Sequence, residues 1–573
     1  MDWRNIETGY EIPSVFYSDQ PYVIKADDGA WVCCLTTGEG WEGTPGQYVQ
    51  VMRSTDKGNS WTDINRMEPK GAPENSYSVL LKTDFGRIYC FYNYNKDDTR
   101  EIIANDPPFK DGICRRVDSQ GYYCFRYSDD NGKTWSKERG DVPMRKFKWD
   151  LENPYKGEIM FFWNVGKPLV YDGNAYLSMH KVGELGEGFF VKSEGVLFKS
   201  DNIMTEPDIG KLHFETLPEG DIGIRGPKGG NTVSEEHSYV SLSDGSFFTV
   251  FRTIDGRPGY SYSRDCGKSW EPSEYMHIKH PRAANFVWKL ESGDFLYWFH
   301  NYGGKWYFDR NPVWCLAGKE TDGPDGKLIK WSQPEVLLYH NDPYMRISYP
   351  DLIQDEGETY ITETEKEIAR THKVDSGFLE KLLKWDEVGK ITEEGLIFSG
   401  SPGECDFPEL PQLVEPLGGV PALRTKDLKT GFSIDLWFEM PVEKGVMLFD
   451  TRAEDGSGIA MYMASETAVR LDLSDGITIS SWQCDPVLKK NGMNHIAAIV
   501  DGGPKTISYV VNGRFNDGGE LRKFGWGRYN PNLRHANGRN RIKIQESVCI
   551  LRAYDRALMT VEACSNYKSG VNL

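Results

Sequence analysis

The sequence predicts an all-β fold, a six-bladed β-propeller followed by an antiparallel β-sandwich of the jelly-roll kind. Three observations carry that expectation: a strand-forming composition, one eight-residue motif that occurs three times, and six hairpin-like segments spread over the first 400 residues. The expected division is residues 1–400 for the propeller, 401–420 for a linker and 421–573 for the sandwich.

The chain has 573 residues, more than one hydrophobic core usually fills, so at least two domains are expected. Aromatics make up 13% of it, with 17 Trp and 30 Tyr, and long helix-periodic runs are nearly absent. That balance favours pleated, half-buried strands over helices. The net charge of −18 and the lack of any Lys/Arg cluster argue against nucleic acid and anionic membrane surfaces as partners. A pocket arginine can still reverse the local field, so an anionic small ligand stays allowed. No apolar run approaches the roughly 18 residues of a membrane span, and the start Met1-Asp2-Trp3-Arg4 lacks the regions of a secretion signal. The 11 cysteines show no CxxC spacing, which fits free thiols in a reducing compartment and no zinc site. A cytoplasmic location is the expectation, or a secreted or periplasmic one if a leader has been trimmed away. Oligomeric state is not legible.

The repeated motif is Ser-x-Asp-x-Gly-x-x-Trp, at 54–61, 128–135 and 263–270. Ser and Asp cap backbone amides in a tight turn, Gly supplies a positive φ, and Trp packs beneath. The six hairpins follow a second pattern: a polar residue, an alternating run, a turn Gly and a second run. They span 19–37, 74–93, 163–180, 235–252, 282–300 and 349–363. Spacings of tens of residues leave room for two outer strands per blade. After 401 the character changes to a Pro-rich stretch and then to alternating runs such as 432–437, 495–500 and 506–511, the last closed by Asn512-Gly513. These read as strands of a sandwich. The ending 551–558 resembles that of laminin-G or legume-lectin-like modules, which bind sugar or brace a neighbouring domain.

In a propeller the ends of the inner strands converge on one end of a central channel, which makes their polar residues the candidate site. Those residues include Asp19, Gln20, Glu74, His180, Glu235, Glu236, His237, Arg252, Arg282, His300, Tyr349 and Asp351. Trp41 and Trp163 are candidates to stack on a sugar face. No cofactor or metal is expected.

The motif resembles the Asp-box of the sialidase superfamily, whose boxes lie on the propeller rim and take no part in chemistry. The resemblance covers about the first 400 residues. A recurring element of that family, Glu, strand, Asp-Gly, strand, Arg, is matched by Glu236 through Asp244-Gly245 to Arg252. Ser348-Tyr349-Pro350-Asp351-Leu352 is similar to the segment that carries the family's nucleophilic tyrosine. The resemblance therefore implies Tyr349 as nucleophile, Glu236 as its general base, and Arg252 and Arg310 as ligands of an anionic substrate group. Arg282 and Arg346 are further arginine candidates. Two departures stand out. The family's first-blade Arg-Ile-Pro is replaced here by Asp19-Gln20-Pro21, and the loop at 38–47 offers Glu39 and Glu42 but no Asp. A carboxylate at 19 puts like charge beside a sugar carboxylate, at a cost of roughly a few kcal/mol in a desolvated site. The expectation is thus an exo-acting glycoside hydrolase for a terminal sugar other than ordinary sialic acid. Asp19, Glu236 or Asp351 would supply acid or base, and Arg252, Arg310, Arg282, His237, Gln20, His180 and Glu74 would contact substrate. The alternatives are a non-catalytic carbohydrate-binding propeller and a lyase on uronate polymers.

Overall fold

The computed structural model describes residues 2–187, 189–417 and 425–571. Two compact units emerge. The larger takes Ile6–Trp331 and Asp342–Ser376; the smaller takes the described residues before Ile6, Ser332–Asn341 and those from Gly377 onward.

Among the described residues the larger unit holds six antiparallel sheets of four or five strands, in chain order, and a two-stranded pairing of Ile102–Ile103 with Ile113–Cys114. Each of the six expected hairpins supplies the strand pair at one edge of a sheet. The pairs start with Tyr17–Lys25, Asn75–Lys82, Phe161–Trp163, Glu235–Ser241, Phe286–Lys289 and Ser348–Asp355. Hairpin turns need a left-handed residue, which Gly supplies without strain: Gly29 has φ 83° and Gly245 φ 86°. The sixth sheet draws its outer strand from the other end of the chain, with Tyr10–Ile12 pairing against Ala369–Lys373.

Hydrogen bonds link every sheet to the next and the sixth to the first. Tyr77 N donates to Thr36 Oγ1 at 2.8 Å, Asn164 Nδ2 to Tyr77 O at 2.9 Å, and Ser178 Oγ to His237 O at 2.5 Å. Val287 N donates to Ser238 Oγ at 3.1 Å, Glu291 N to Gln354 Oε1 at 2.7 Å, and Val23 N to Asp351 Oδ2 at 2.8 Å. Apolar clusters fill the spaces between neighbouring sheets. Trp31, Met52 and Val23 pack with Ile353 of the sixth sheet, and Tyr176 and Leu197 pack with Tyr239 and Phe247 of the fourth. Tyr22, Lys167, Ser238, Phe286 and Asp351, from five different sheets or their leading loops, line a cavity of about 420 Å³.

The three motif turns behave alike. In each, the Ser hydroxyl donates to the Asp carboxylate at 2.8 Å and accepts from the Gly N–H at 2.8 Å, while the Asp takes the N–H four residues on at 2.9 Å. Every capping group is spent inside the turn, which leaves none for chemistry.

The smaller unit holds two antiparallel sheets around one apolar core. Phe432–Met440, Gly492–Asp501, Thr506–Val511 and Val548–Tyr554 belong to one; Met447–Asp450, Gly458–Ser465, Ala468–Ser474 and Ile479–Gln483 form the other. The sequence reads 401–420 as a linker. The structure instead gives Gly403–Asp406 a strand partner in Arg541–Ile544 and puts Phe407, Leu410 and Leu413 in this core. Leu396–Gly400, expected in the first domain, pairs with Val548–Tyr554. A Pro-rich composition marks irregular backbone, and irregular backbone can still be buried. The beginning of the stretch expected as sandwich, 421–424, lies outside the described residues.

All eleven cysteines are free thiols. Among the described residues no helix is long and apolar enough to cross a membrane, and no group of three or more His, Cys, Asp or Glu side chains could hold a metal.

Candidate active site

One local irregularity recurs in the edge strand that opens the hairpin in four of the six sheets. The ladder slips between Asp19 and Tyr22, between Ser76 and Val79, between Glu235 and Ser238, and between Ser348 and Asp351. Inside each slip a non-glycine residue takes a positive φ: Gln20 (55°), Tyr77 (55°), Glu236 (54°) and Tyr349 (46°). Such a bulge breaks the alternation of the strand and re-aims the extra side chain. It also costs roughly 1–3 kcal/mol per residue, which clusters at functional sites when the surroundings enforce it.

Two of these re-aimed side chains meet. The Tyr349 hydroxyl donates to Glu236 Oε1 at 2.7 Å, with both residues buried. Arg252 Nη1 reaches the same Oε1 at 2.9 Å, and its Nε donates to Glu235 Oε2 at 2.6 Å. Arg282 completes the row, with Nη2 on Glu235 Oε1 at 2.5 Å. Burial, with Glu235 next door, raises the Glu236 pKa against the pull of Arg252. Burial and the Glu236 charge push the Tyr349 hydroxyl well above its ordinary value. Glu235 goes the other way: burial resists its ionisation, but Arg252 and Arg282 together hold it below the usual carboxylate value. Arg310 lies alongside, donating to Ser348 Oγ at 2.6 Å and to Arg282 O at 3.2 Å. Its pKa is brought down to about 10 by burial and by the neighbouring Arg346 guanidinium.

The other half of the site is acidic. Asp19 accepts from the Tyr17 hydroxyl at 2.6 Å and from Lys366 Nζ at 2.9 Å, and Lys366 lies 3.3 Å from Glu42 and 4.0 Å from the Tyr349 ring centre. Lys366 thus joins the acidic half to the tyrosine. Burial raises the Asp19 pKa against Lys366, and Glu42 adds to the rise. Burial works the same way on Glu42, yet Lys366 and Arg116 hold that carboxyl well below the usual range. Arg116 bonds Asp118 at 2.7 Å and Glu42 at 3.2 Å, and Tyr77 donates to Asp118 at 2.5 Å. Among the buried acceptor oxygens without a donor are Asp19 Oδ1, Gln20 Oε1 and Glu236 Oε2 of this site. Unmatched buried acceptors are costly, and the hydroxyls of a ligand are the donors that would satisfy them.

Of the residues expected from sequence, Glu236, Tyr349, Arg252, Arg310, Arg282 and Asp19 come together, with Gln20 on the same turn as Asp19. His180 supports them from behind: its Nδ1 accepts from Glu236 N–H at 3.2 Å, and burial between Arg252 and Arg282 keeps it neutral. Three expectations are corrected. Asp351, expected to be catalytic, accepts from the Val23 and Leu352 amides at 2.8 Å each and pairs with Lys167 at 3.1 Å. It lines the cavity described above, because the slip before it returns the strand to its regular alternation. Glu74, expected to touch substrate, accepts from Gly46 N at 2.8 Å and pairs with Arg100 at 2.9 Å, bracing the 38–47 loop. His237, expected likewise, stacks on Phe251 and contacts Ser234 Oγ at 3.0 Å within its own sheet. Trp163 is buried under Tyr77, whereas Trp41 is 64% exposed against Phe16. Sequence reasoning missed Lys366, Arg116 and Tyr307, which come from a turn and long loops without periodic signal, and Tyr77, which lies in the strand Asn75–Lys82 but is re-aimed by a bulge that has no sequence signature. Lys366, Arg116 and Tyr77 sit in the acidic half, and the Tyr307 ring lies 4.9 Å from Arg282.

No protein-family model and no curated protein sequence matches this chain. Among solved structures, one of unknown function from Dyadobacter fermentans has 15% identity and a TM-score of 0.46, over 64% of this chain and 97% of its own. Trypanosoma rangeli sialidase has 12% identity and a TM-score of 0.43, over 97% of this chain and 94% of its own. The intramolecular trans-sialidase of Ruminococcus gnavus has 13% and 0.44, over 65% and 98%. At such identities the chemistry has to be read from the side chains.

Proposed function

We propose that this protein is an exo-acting glycoside hydrolase, with the six sheets of its larger unit arranged as propeller blades around an axial cavity. The observation that carries the reading is the buried Tyr349–Glu236 hydrogen bond of 2.7 Å, set among arginines and unmatched acceptors. The cycle of inter-sheet hydrogen bonds supports the propeller.

In this reading the Tyr349 oxygen attacks the anomeric carbon of the terminal sugar while its proton passes to Glu236. The bond to the leaving oxygen breaks as Asp19, whose pKa burial raises, gives that oxygen a proton. Water, deprotonated by Asp19, then attacks the same carbon, and the tyrosine oxygen leaves and recovers its proton from Glu236. Two inversions retain the configuration. Glu236 Oε2 and Gln20 Oε1 accept from sugar hydroxyls, and Arg310 with Arg346 takes any anionic substituent. The reading of a sugar other than sialic acid rests on Asp19 standing where the resemblance expects an arginine.

A panel of aryl glycosides, among them uronic acids, rhamnose, fucose, galactose, sialic acid and other ketosugar acids, tests the reading. Turnover of at least one member with a retained first product by NMR, abolished in Glu236→Gln, is expected. Binding without turnover across the panel would leave a carbohydrate-binding propeller, and a new double bond in the product would leave a lyase.

A further inference from the structure

The anion-binding arginines of this site are not equivalent, and the difference lies in a residue to which the proposed reaction assigns no step. Glu235 is fully buried and sits across two guanidinium groups: Oε2 takes Arg252 Nε at 2.6 Å and Arg282 Nε at 3.4 Å, while Oε1 takes Arg282 Nη2 at 2.5 Å. That is the two-oxygen, forked arrangement in which arginine binds a carboxylate from outside. Arg252 then passes directly to Glu236 Oε1 at 2.9 Å, the oxygen that holds Tyr349. Two cations therefore face two anions, and this half of the site carries no net charge to attract a third. Arg310 and Arg346 differ. Among the described residues neither guanidinium has a carboxylate within ion-pair distance, and the Nε of each is buried without a partner.

We infer that Glu235 is a resident counter-anion that determines specificity: it fills the place on Arg252 and Arg282 that a substrate carboxylate would otherwise take. Anion recognition is thereby moved to Arg310 and Arg346. The inference rests on the proposed site but not on turnover. It deepens that reading by assigning the substrate's anionic group, where it has one, to the Arg310 side. It also accounts for the carboxylate at position 19, since a sugar acid cannot lodge between Asp19 and an already occupied Arg252.

The test opens the filled place and asks whether an external anion enters it. Glu235→Ala leaves a carboxylate-sized gap, and sodium formate is expected to raise its melting temperature saturably by about 2 °C or more over equal sodium chloride. The wild type shows no such formate-specific rise. Crystals of the wild type and of Glu235→Gln, soaked in sodium bromide, provide a second measurement that does not depend on the alanine variant folding. Bromide is expected beside Arg310 and Arg346 in both, and beside Arg252 and Arg282 only in the variant. A third readout separates specificity from mere structure: in Glu235→Gln the ratio of kcat/KM for acidic over neutral aryl glycosides rises at least about tenfold, the effect of roughly 1.4 kcal/mol. Bromide at Arg252 in the wild type, or formate no better than chloride on the alanine variant, overturns the inference. Because the first two readouts measure anions and not catalysis, they stand even if no glycoside is hydrolysed.

Discussion

Tyr349→Phe removes one oxygen and leaves the ring, the backbone and the fold in place, which makes it the most direct probe of the proposed chemistry. Two effects follow from the geometry. The hydroxyl donates to Glu236 at 2.7 Å, a hydrogen bond to a charged acceptor worth about 1.5–3 kcal/mol in stability. Glu236 Oε1 keeps Arg252 at 2.9 Å, so the loss falls toward the lower figure. On the rate, loss of the nucleophile and its assisted proton transfer removes a factor of about 1,000 or more. The assay is hydrolysis of the best aryl glycoside at saturating and limiting substrate, alongside thermal unfolding. A fall in kcat of that size with a melting shift of only a few degrees is expected. A double-mutant cycle with Glu236→Gln should show strong non-additivity in rate, because each side chain acts through the other. A phenylalanine variant that retains more than about a tenth of wild-type kcat would refute the nucleophile assignment, which rests on the Tyr349 hydroxyl bonded to Glu236.

Three further outcomes are expected. In kcat/KM against pH, activity should rise as Glu236 loses its proton, with a midpoint above the ordinary value of about 4.3 because burial raises that pKa; a midpoint at or below 4 would assign the base role to another group. Asp351→Asn should cost about 2–3 kcal/mol of stability, through the Val23 amide and Lys167, while kcat of the folded variant stays within about twofold of wild type; a large kcat loss would return Asp351 to the chemistry. In the smaller unit, Glu335 is buried and its pKa is raised to about 8, even though the Val561 amide donates to it. A raised folded-state pKa means a contribution fully present below about pH 4.5 and lost as pH climbs towards 8, on the order of 5 kcal/mol in all. Glu335→Gln should therefore gain on the wild type between pH 5 and 8 in thermal unfolding; parallel curves would show that the group stays ionised.

The sheets were legible because their signals are local. Ser54-x-Asp56-x-Gly58 closes its own hydrogen bonds within the turn, and each hairpin announces itself by alternation around a Gly. The site was legible only where it lies at the ends of those hairpins, which is why Glu236, Arg252 and Tyr349 could be named. Asp351 was misread for a definite reason. It is two residues from Tyr349 and shares its face in a regular strand, but the slip at Tyr349 removes that equivalence, and a bulge without Gly or Pro has no sequence signature. Lys366 and Arg116 come from a turn and a long loop, and only the folded chain brings them to Asp19 and Glu42. Glu235 and Glu236 are chemically identical neighbours that would face opposite sides of a regular strand; at the bulge both reach Arg252, while only Glu236 meets Tyr349 and only Glu235 meets Arg282.

The four strained residues tie the strands to the chemistry. Where this chain needs a left-handed turn for shape alone it often uses Gly, as at Gly58, Gly132 and Gly267 in the three motif turns. At Gln20, Tyr77, Glu236 and Tyr349 it keeps large polar side chains in the same disfavoured region, each at the same point of the edge strand that opens a hairpin. Selection for stability alone would favour Gly at all four, so the side chains must repay the strain by what they reach. Tyr349 and Glu236 reach each other, and Tyr77 reaches Asp118 and through it Arg116 and Glu42. Gln20 presents an amide oxygen with no donor. Three of the four thus have partners inside the site, and the fourth, whose Nε2 donates to Asn164 O at 3.3 Å, keeps an Oε1 without the donor that a sugar hydroxyl can supply. The strain is accordingly best read as the means by which four separate sheets deliver side chains to one place, which a regular strand, pointing alternately to either face, cannot do.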